Sequence, residues 1–500
     1  MDIFTNLALG FGVAVTLNNL FYCFIGVFLG TLIGVLPGIG PVATVAMLLP
    51  LTFSLDASTA LIMLAGIYYG AQYGGSTTAI LVNIPGESSS VVTTLDGYQM
   101  ARNGRAGPAL GIAAIGSFIA GSFATLVVAF FSPPLAELAL SFQPADYFSL
   151  MVFGLIGAVV LASGTLRKTI AMVVLGLVLG LMGTDVNSGV MRFTFGIPAL
   201  AEGVSFVAMA MGMFGIAEVI YNLENRGQDR ETFTSRIGRV LPSLADLKLS
   251  SFSIARGTIL GSVLGILPGG GALLASFAAY AIEKKVAKAP THFGQGDIRG
   301  VAAPESANNA GAQTSFIPML TLGVPSNPTM ALMIGALMIQ GIQPGPQVLN
   351  QRPDLFWGVV ASMWIGNLFL LALNLPLIGL WVRLLSVPYR LLFPAILVFC
   401  CIGVFTINNN VFDLLQLIAF SAMGYLLLKL GCEPAPLVLG FVLGPMMEEY
   451  LRRALLISLG DPIILITSPI SAAFLIAAAA LLVSIVVPAI RATREEAMKE

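Results

Sequence analysis

From Met1 to Ala101 the chain contains no lysine and no arginine. Over the same stretch it runs through apolar segments such as Asn19–Leu36 and Ala57–Tyr73. A soluble domain carries about 25% charged residues. Across its 500 residues this chain carries 10%, with 57% hydrophobic. That leaves too little polar surface to keep it dispersed in water. Many of its apolar runs approach the roughly 20 residues that cross a bilayer core. The expected fold class is an all-α polytopic membrane protein with about 10–12 transmembrane helices. The net charge of -1 says nothing about partners, and nothing points to nucleic acid.

Targeting signals are sparse. "MDIFTNLALGFGVAV" lacks a basic leader region, so it does not read as a secretory signal, and its one-sided apolar pattern fits an interfacial helix. Cys23, Cys400, Cys401 and Cys432 sit in apolar surroundings without ligand-like spacing and read as small buried hydrophobes.

The most informative phrase occurs twice. "GTLIGVLPGIG" (Gly30–Gly40) returns as "GSVLGILPGGG" (Gly261–Gly271), 231 positions on, with six of eleven residues identical. "GAQ" recurs at Gly70–Gln72 and Gly311–Gln313. A second Pro-containing break follows each, "IPGES" at Ile84–Ser88 and "VPSNP" at Val324–Pro328. Both halves therefore run span, LPG break, half-span, GAQ segment, second break, half-span. The run Val42–Phe53 has only 12 residues, too short to cross about 30 Å of hydrocarbon. It reads as re-entrant.

The stretch 222–250 carries Arg226, Arg230, Arg236, Arg239 and Lys248 and reads as a cytoplasmic linker. Residues 1–221 are then a first repeat half, with motifs at 30–53 and 70–100. Residues 251–500 are a second, with motifs at 261–284 and 303–342. No basic residue precedes the first LPG span and five precede the second, so the repeats are expected to be inverted in topology. Arg452 and Arg453 fit no simple count. The tail, with Arg491, Arg494 and Lys499, reads as cytoplasmic.

Broken helices at membrane depth are costly unless they line a cavity or are buried in protein. Paired breaks in inverted repeats point to a transporter site. A half-helix start offers free N–H groups and a positive dipole end to an anion, and unwound carbonyls suit a cation. Small residues also serve helix packing, so a single glycine proves little. For an anionic substrate the candidates are Gly38, Gly40, Thr44, Ser88, Ser89, Gly269, Gly271, Ser306, Asn308, Asn309, Ser326 and Asn327. For a cation they are Gly70, Gln72, Asn83, Gln313, Thr314 and Gly323. Ser76, Thr77 and Ser276 lie nearby. Neutral donors avoid burying a permanent positive charge. Glu87 and Glu305 either partner a helix dipole or ligate a coupling cation. Enzymatic signatures are missing. The only histidine, His292, lies in a polar loop and reads as solvated, HExxH does not occur, and "GGG" at Gly269–Gly271 lacks a phosphate-loop frame.

"GVLPGIGPVATVAMLLPLTF", "GAQYGGSTTAILVNIPGES", "GILPGGG", "APESANNAGAQTSFIPMLTLGVPSNPTMA" and "GFVLGPMMEEYLRRAL" resemble the large membrane subunit of tripartite tricarboxylate transporters, over nearly the whole chain. The family's motif segments fall on Gly34–Gly40, Gly70–Ser76, Asn83–Ser88, Gly265–Gly271, Pro304–Gln313 and Gly323–Thr329. The resemblance implies import of citrate or related carboxylates across a bacterial inner membrane. It implies a small membrane subunit of about four helices and a periplasmic binding protein as partners, coupling to Na⁺ or H⁺, and neither ATP hydrolysis nor a cofactor. Two re-entrant hairpins would favour an elevator motion. The alternatives are a stand-alone carboxylate carrier, which needs no binding protein, and a membrane scaffold or intramembrane enzyme.

Overall fold

The computed structural model describes residues 3–36, 38–162, 165–185, 187–224, 238–267, 271–288, 290–385 and 389–486. Gly269, residues 225–237 of the basic linker (with Arg226, Arg230 and Arg236) and the tail cations Arg491, Arg494 and Lys499 lie outside them.

The chain begins with α1 (Ile3–Ala14) and α2 (Leu17–Gly34). Thr16 caps α2, its hydroxyl accepting from the Asn19 N–H at 3.4 Å. After the first LPG phrase, Gly40 is the extended residue before α3 (Pro41–Leu48). Proline at that first helical position has no N–H to leave unpaired. A 3₁₀ turn, Leu49–Thr52, finishes this short apolar segment. α4 (Ala57–Val82) has 26 residues and runs well past the expected end at Tyr73. The glycines at 74 and 75 do not stop it, because a Cβ on Gly74 would lie 2.5 Å from Gly34 and Val35 backbone. Packing on α2 holds that turn helical against its propensity. Asn83, left-handed at φ 56°, ends α4. A 3₁₀ turn (Ser88–Ser90) then leads into α5 (Val91–Met100). α6 (Ala106–Leu140), α7 (Pro144–Leu161) and α8 (Leu166–Gly180) follow.

A two-residue ladder pairs β1 (Gly183–Thr184) with β2 (Met191–Arg192), antiparallel. α9 (Phe206–Ala210) passes through a π-helical segment, Met211–Ile216, into α10 (Ala217–Glu224). α11 (Leu244–Leu264) begins inside the expected linker, because Ser243 and Asp246 form a reciprocal capping box. Next come α12 (Gly271–Val286), α13 (Arg299–Thr314), α14 (Phe316–Leu322) and α15 (Pro328–Ile339). The chain closes with α16 (Gln347–Gln351), α17 (Pro353–Asn374), α18 (Ile378–Leu385), α19 (Tyr389–Asn408), α20 (Val411–Lys429), α21 (Ala435–Ile457), α22 (Ile464–Thr467) and α23 (Pro469–Val486).

α21 does not read as an apolar span in the sequence, since its second half carries Glu448, Glu449, Arg452 and Arg453. Those charges are paired. Arg452 reaches Glu448 at 2.5 Å and Asp185 at 3.0 Å, and Arg192 reaches Glu448 at 2.7 Å. The apolar first half packs on α8, with Gly440 against Val173 and Gly176 against Leu437. Arg453 pairs with Glu449 on the same helix.

Among the described residues, five helices are long and apolar enough to cross a membrane, and six shorter helices are apolar. Large side chains such as Phe131, Ile402, Ile418 and Ile476 are exposed on α6, α19, α20 and α23. A soluble protein rarely leaves so much apolar surface open, whereas lipid covers it without cost. The chain is an all-α, multi-pass membrane protein.

One packing motif occurs twice. On α2, Gly26, Gly30 and Gly34 lie against the backbone of Met63, Ile67 and Ala71 in α4. On α11, Gly257, Gly261 and Gly265 lie against Ala303, Ala307 and Gly311 in α13. A Cβ on Gly30 or Gly261 would sit 2.3 Å from a carbonyl oxygen of the opposite helix. Only glycine at every fourth position admits so close an approach.

Candidate functional site

A cavity of about 610 Å³ opens beside the helix starts that follow the breaks. Its wall takes Gly40–Ala43 from the start of α3 and Gly86–Ser89 from the second break. Ala272 and Leu273 begin α12, Asn327–Thr329 begin α15, and Pro434–Pro436 begin α21. The starts of four α-helices and of one 3₁₀ turn therefore lie on the wall of one space. Tyr68 and Gln72 of α4, Glu218 and Tyr221 of α10, and Glu433 complete the polar lining. Among the described lining residues there is no lysine, arginine or histidine.

The helix starts are not equivalent. Asn327 caps α15, its side-chain oxygen accepting from the Met330 N–H at 3.0 Å. At the turn Ser88–Ser90, Glu87 and Ser90 form a reciprocal box. α3 has no side-chain cap. The first N–H groups of a helix have no partner within it, so those of Val42 and Ala43, on the cavity wall, are free to meet an anion.

Beneath this wall a polar chain joins the two halves of the sequence. Asn308 donates from Nδ2 to Glu87 Oε1 at 2.8 Å and accepts from Gln72 Nε2 at 3.5 Å. Among the described residues, Gln72 Oε1 is buried without a partner. Asn327 Nδ2 donates to Ser315 Oγ at 3.2 Å and lies 3.5 Å from the Tyr68 hydroxyl. Glu305, buried, accepts from Ser76 Oγ at 2.6 Å and from Thr93 Oγ1. These bonds supply the acceptors and donors that buried amides and carboxyls require.

Of the residues singled out in the sequence, Gly40, Gln72, Ser88, Ser89 and Asn327 line the cavity. Asn308 stands one bond behind it. Gly38, left-handed at φ 82°, gives its carbonyl to Asn222 Nδ2 at 2.9 Å. The Thr44 hydroxyl turns back to the Gly40 carbonyl at 2.9 Å. Gly271 packs on Gly265, and Gly70 on Val27 and Thr31. Ser326 donates to the Ser315 carbonyl, Thr314 to that of Ala310. Gly323 is the left-handed end of α14 at φ 70°, matching Asn83 at the end of α4, and Asn83 is exposed. Ser306, Asn309 and Gln313 face α6. Asn309 Nδ2 donates to Ser117 Oγ at 2.7 Å, Gln313 Oε1 accepts from Thr125 at 3.4 Å, and Ser306 Oγ lies against Gly116.

The two glutamines of the repeated GAQ phrase thus part company, and helix register explains it. The glycine ladders pair Gly30 with Ile67 and Gly261 with Ala307. That register equates Ala71 with Gly311, whereas the written repeat equates Gly70 with Gly311. One residue is about 100° of rotation on an α-helix. Gln72 consequently faces the cavity and Gln313 faces away.

Residues 20–439 match the family described as Tripartite tricarboxylate transporter TctA family. The chain belongs to the TctA family of tripartite tricarboxylate transporters. It is also 57% identical, over all of its 500 residues and 99% of the relative, to an "Uncharacterized 52.8 kDa protein in TAR-I ttuC' 3'region" of Agrobacterium vitis. A second protein of that organism, "Uncharacterized protein in TAR-II ttuC' 3'region", is 58% identical over 240 residues, 48% of this chain and 99% of the relative. No solved structure matches the chain.

In this TctA-family chain, the lining residues that sequence reasoning missed are Tyr68, Glu218, Tyr221, Glu433 and the start of α21. Glu218 carried a readable signal, a lone carboxylate inside "MAMGMFGIAEVIY". The start of α21 carried none, because its role depends on where α8 places it.

Proposed function

We propose that this chain is the large transmembrane subunit of a binding-protein-dependent secondary transporter. It would import citrate or related di- and tricarboxylates on a Na⁺ or H⁺ gradient, without ATP. The observation that carries this is the uncapped start of α3 in a cavity whose wall also holds three further α-helix starts and a 3₁₀ turn. Free backbone N–H groups and dipole ends attract carboxylates, and no fixed cation among the described lining residues holds them too tightly for release. The TctA family membership supports the transport class.

In this reading residues 1–221 and 251–500 are inverted repeats joined by the cytoplasmic linker 222–250. The short segments after each LPG phrase re-enter the membrane, and one repeat-derived unit moves against the rest. A small four-helix membrane subunit and a periplasmic binding protein complete the assembly in a bacterial inner membrane.

The test is uptake of labelled citrate and dicarboxylates into proteoliposomes holding this chain and its small subunit, with and without the binding protein, under an imposed Na⁺ or H⁺ gradient. Uptake requiring both the binding protein and a gradient is expected. Uptake without the binding protein would replace this reading with a stand-alone carrier. No flux for any carboxylate would overturn the substrate class.

A further inference from the structure

The acids inside this molecule differ in company. Glu87 has the Asn308 amide, Glu305 has two hydroxyls, and Glu283 has Arg256 and Ser253. Asp96 takes three backbone N–H groups and the Tyr280 hydroxyl. Glu218 is different. Its side chain lines the main cavity from the helix Phe206–Glu224, two residues beyond the π-helical segment. Among the described residues it has neither a hydrogen-bond donor nor an ion-pair partner.

Among the described residues, its surroundings offer it no counter-charge. Facing α10 from α20 are Tyr425 and Lys429, which both hold Glu224. α19 contributes Cys400 and Cys401, and neither α3 nor the π segment contains a titratable side chain. The other titratable residues of the lining are Tyr221 on the same helix and Glu87, Glu433, Tyr68 and Cys432 from elsewhere in the chain. A carboxylate substrate entering here meets Glu218 as a second anion if it is ionised, and as a hydrogen-bond donor if it is protonated. Binding of the anion and of a proton at Glu218 must therefore favour each other. A π-helical turn beside such a group is a common mark of a functional position.

We propose that Glu218 carries a coupling proton through this cavity, so that the carboxylate crosses together with H⁺. The proposal rests on the transport reading above and narrows its coupling ion. An O–H bond forms at the Glu218 carboxylate with a proton from outside water. It donates to the bound substrate, and it breaks to release the proton to inside water once substrate has left.

The experiment compares wild type with Glu218→Gln in proteoliposomes of the complete transporter, using whichever of labelled citrate or dicarboxylates the wild type takes up. Two quantities are read: accumulation driven by an inward pH gradient in Na⁺-free buffer, and counterflow exchange at uniform pH. Expected is wild-type accumulation on the pH gradient alone, and in the variant a loss of accumulation at least tenfold greater than its loss of exchange. Equal loss of both would assign Glu218 to packing or binding and overturn the proposal. So would wild-type accumulation that needs Na⁺ and ignores the pH gradient. If the wild type moves no carboxylate at all, the transport reading falls first, which is a different result. If Glu218→Gln does not assemble, infrared difference spectra of wild type and Glu218→Asp in lipid nanodiscs decide. A protonated-carboxyl band that strengthens on adding citrate and shifts in the variant supports the proposal; an unchanged spectrum overturns it.

Discussion

A methyl group decides much of this structure. Gly261→Leu would drive a side chain into the Ala307 carbonyl, and Gly30→Leu into that of Ile67. Backbone cannot give way as a side-chain tip does, so each should cost about 3 kcal/mol or more. A Cβ added to Gly12 would meet nothing within 4 Å, and Gly12→Ala should be neutral or slightly stabilising. Thermal melts of the three detergent-purified variants check this. Neighbouring asparagines should separate in the same way. Asn308→Ala removes the donor to Glu87 behind the cavity, costing about 1–3 kcal/mol of local interaction, and should raise the substrate concentration for half-maximal uptake several-fold. Asn309→Ala removes a bond to Ser117 on α6 and should lower the yield of folded protein while leaving that concentration unchanged. Sequence alone treats the two as equals, because both are amides in one phrase. Only their separation of about 100° on α13 tells them apart.

At the scale of elements, most helices were legible. Apolar length marked α2 and the first part of α4, and Pro–Gly phrases marked the breaks between α2 and α3 and after α4. What escaped was settled between elements. α4 outlasted its glycines because α2 lies against them, and α21 was obscured by charges that pair with the β1–β2 hairpin. That hairpin carries a prediction of its own. Hydrogen bonds from the Ser188 hydroxyl and the Asn187 N–H, with Arg452 beside them, hold the Asp185 carboxyl down to about 2, from an ordinary value of 3.8. A depressed carboxyl stabilises above its unfolded value and loses that contribution as pH falls toward the folded one. Protease resistance of the segment 183–192 should therefore be flat from about pH 8 to about pH 5 and decline only below about pH 4. Asp185→Asn should lower the resistance at neutral pH and flatten the acid decline.

For the whole molecule, the cavity is a property of assembly, and its water accessibility can be measured. Three of the four cysteines are buried, and Cys432 lies on the cavity wall. With the native cysteines replaced, Ser88→Cys should react with a charged, membrane-impermeant thiol reagent and be protected by the transported carboxylate. Ser306→Cys, buried against α6, should remain unlabelled under the same conditions. Labelling of both, or of neither, would remove the cavity from the transport path. The starts of α3 and α12, which follow phrases 231 residues apart in sequence, share this cavity, two glycine ladders bring α2 onto α4 and α11 onto α13, and Asn308 bridges to Glu87 and Gln72 between them.

The residues themselves determined the class of this protein. Long apolar runs admit only membrane helices, since each backbone polar group must bond within its own segment. The doubled phrases likewise determined where those helices break, because proline and glycine act locally. Tertiary structure alone decided which polar groups face the cavity, that Gln72 does and Gln313 does not, and that Glu218 lies on its wall without a partner among the described residues. Those outcomes depend on the rotation of one helix against another, and that rotation is set by close packing of surfaces far apart in the chain.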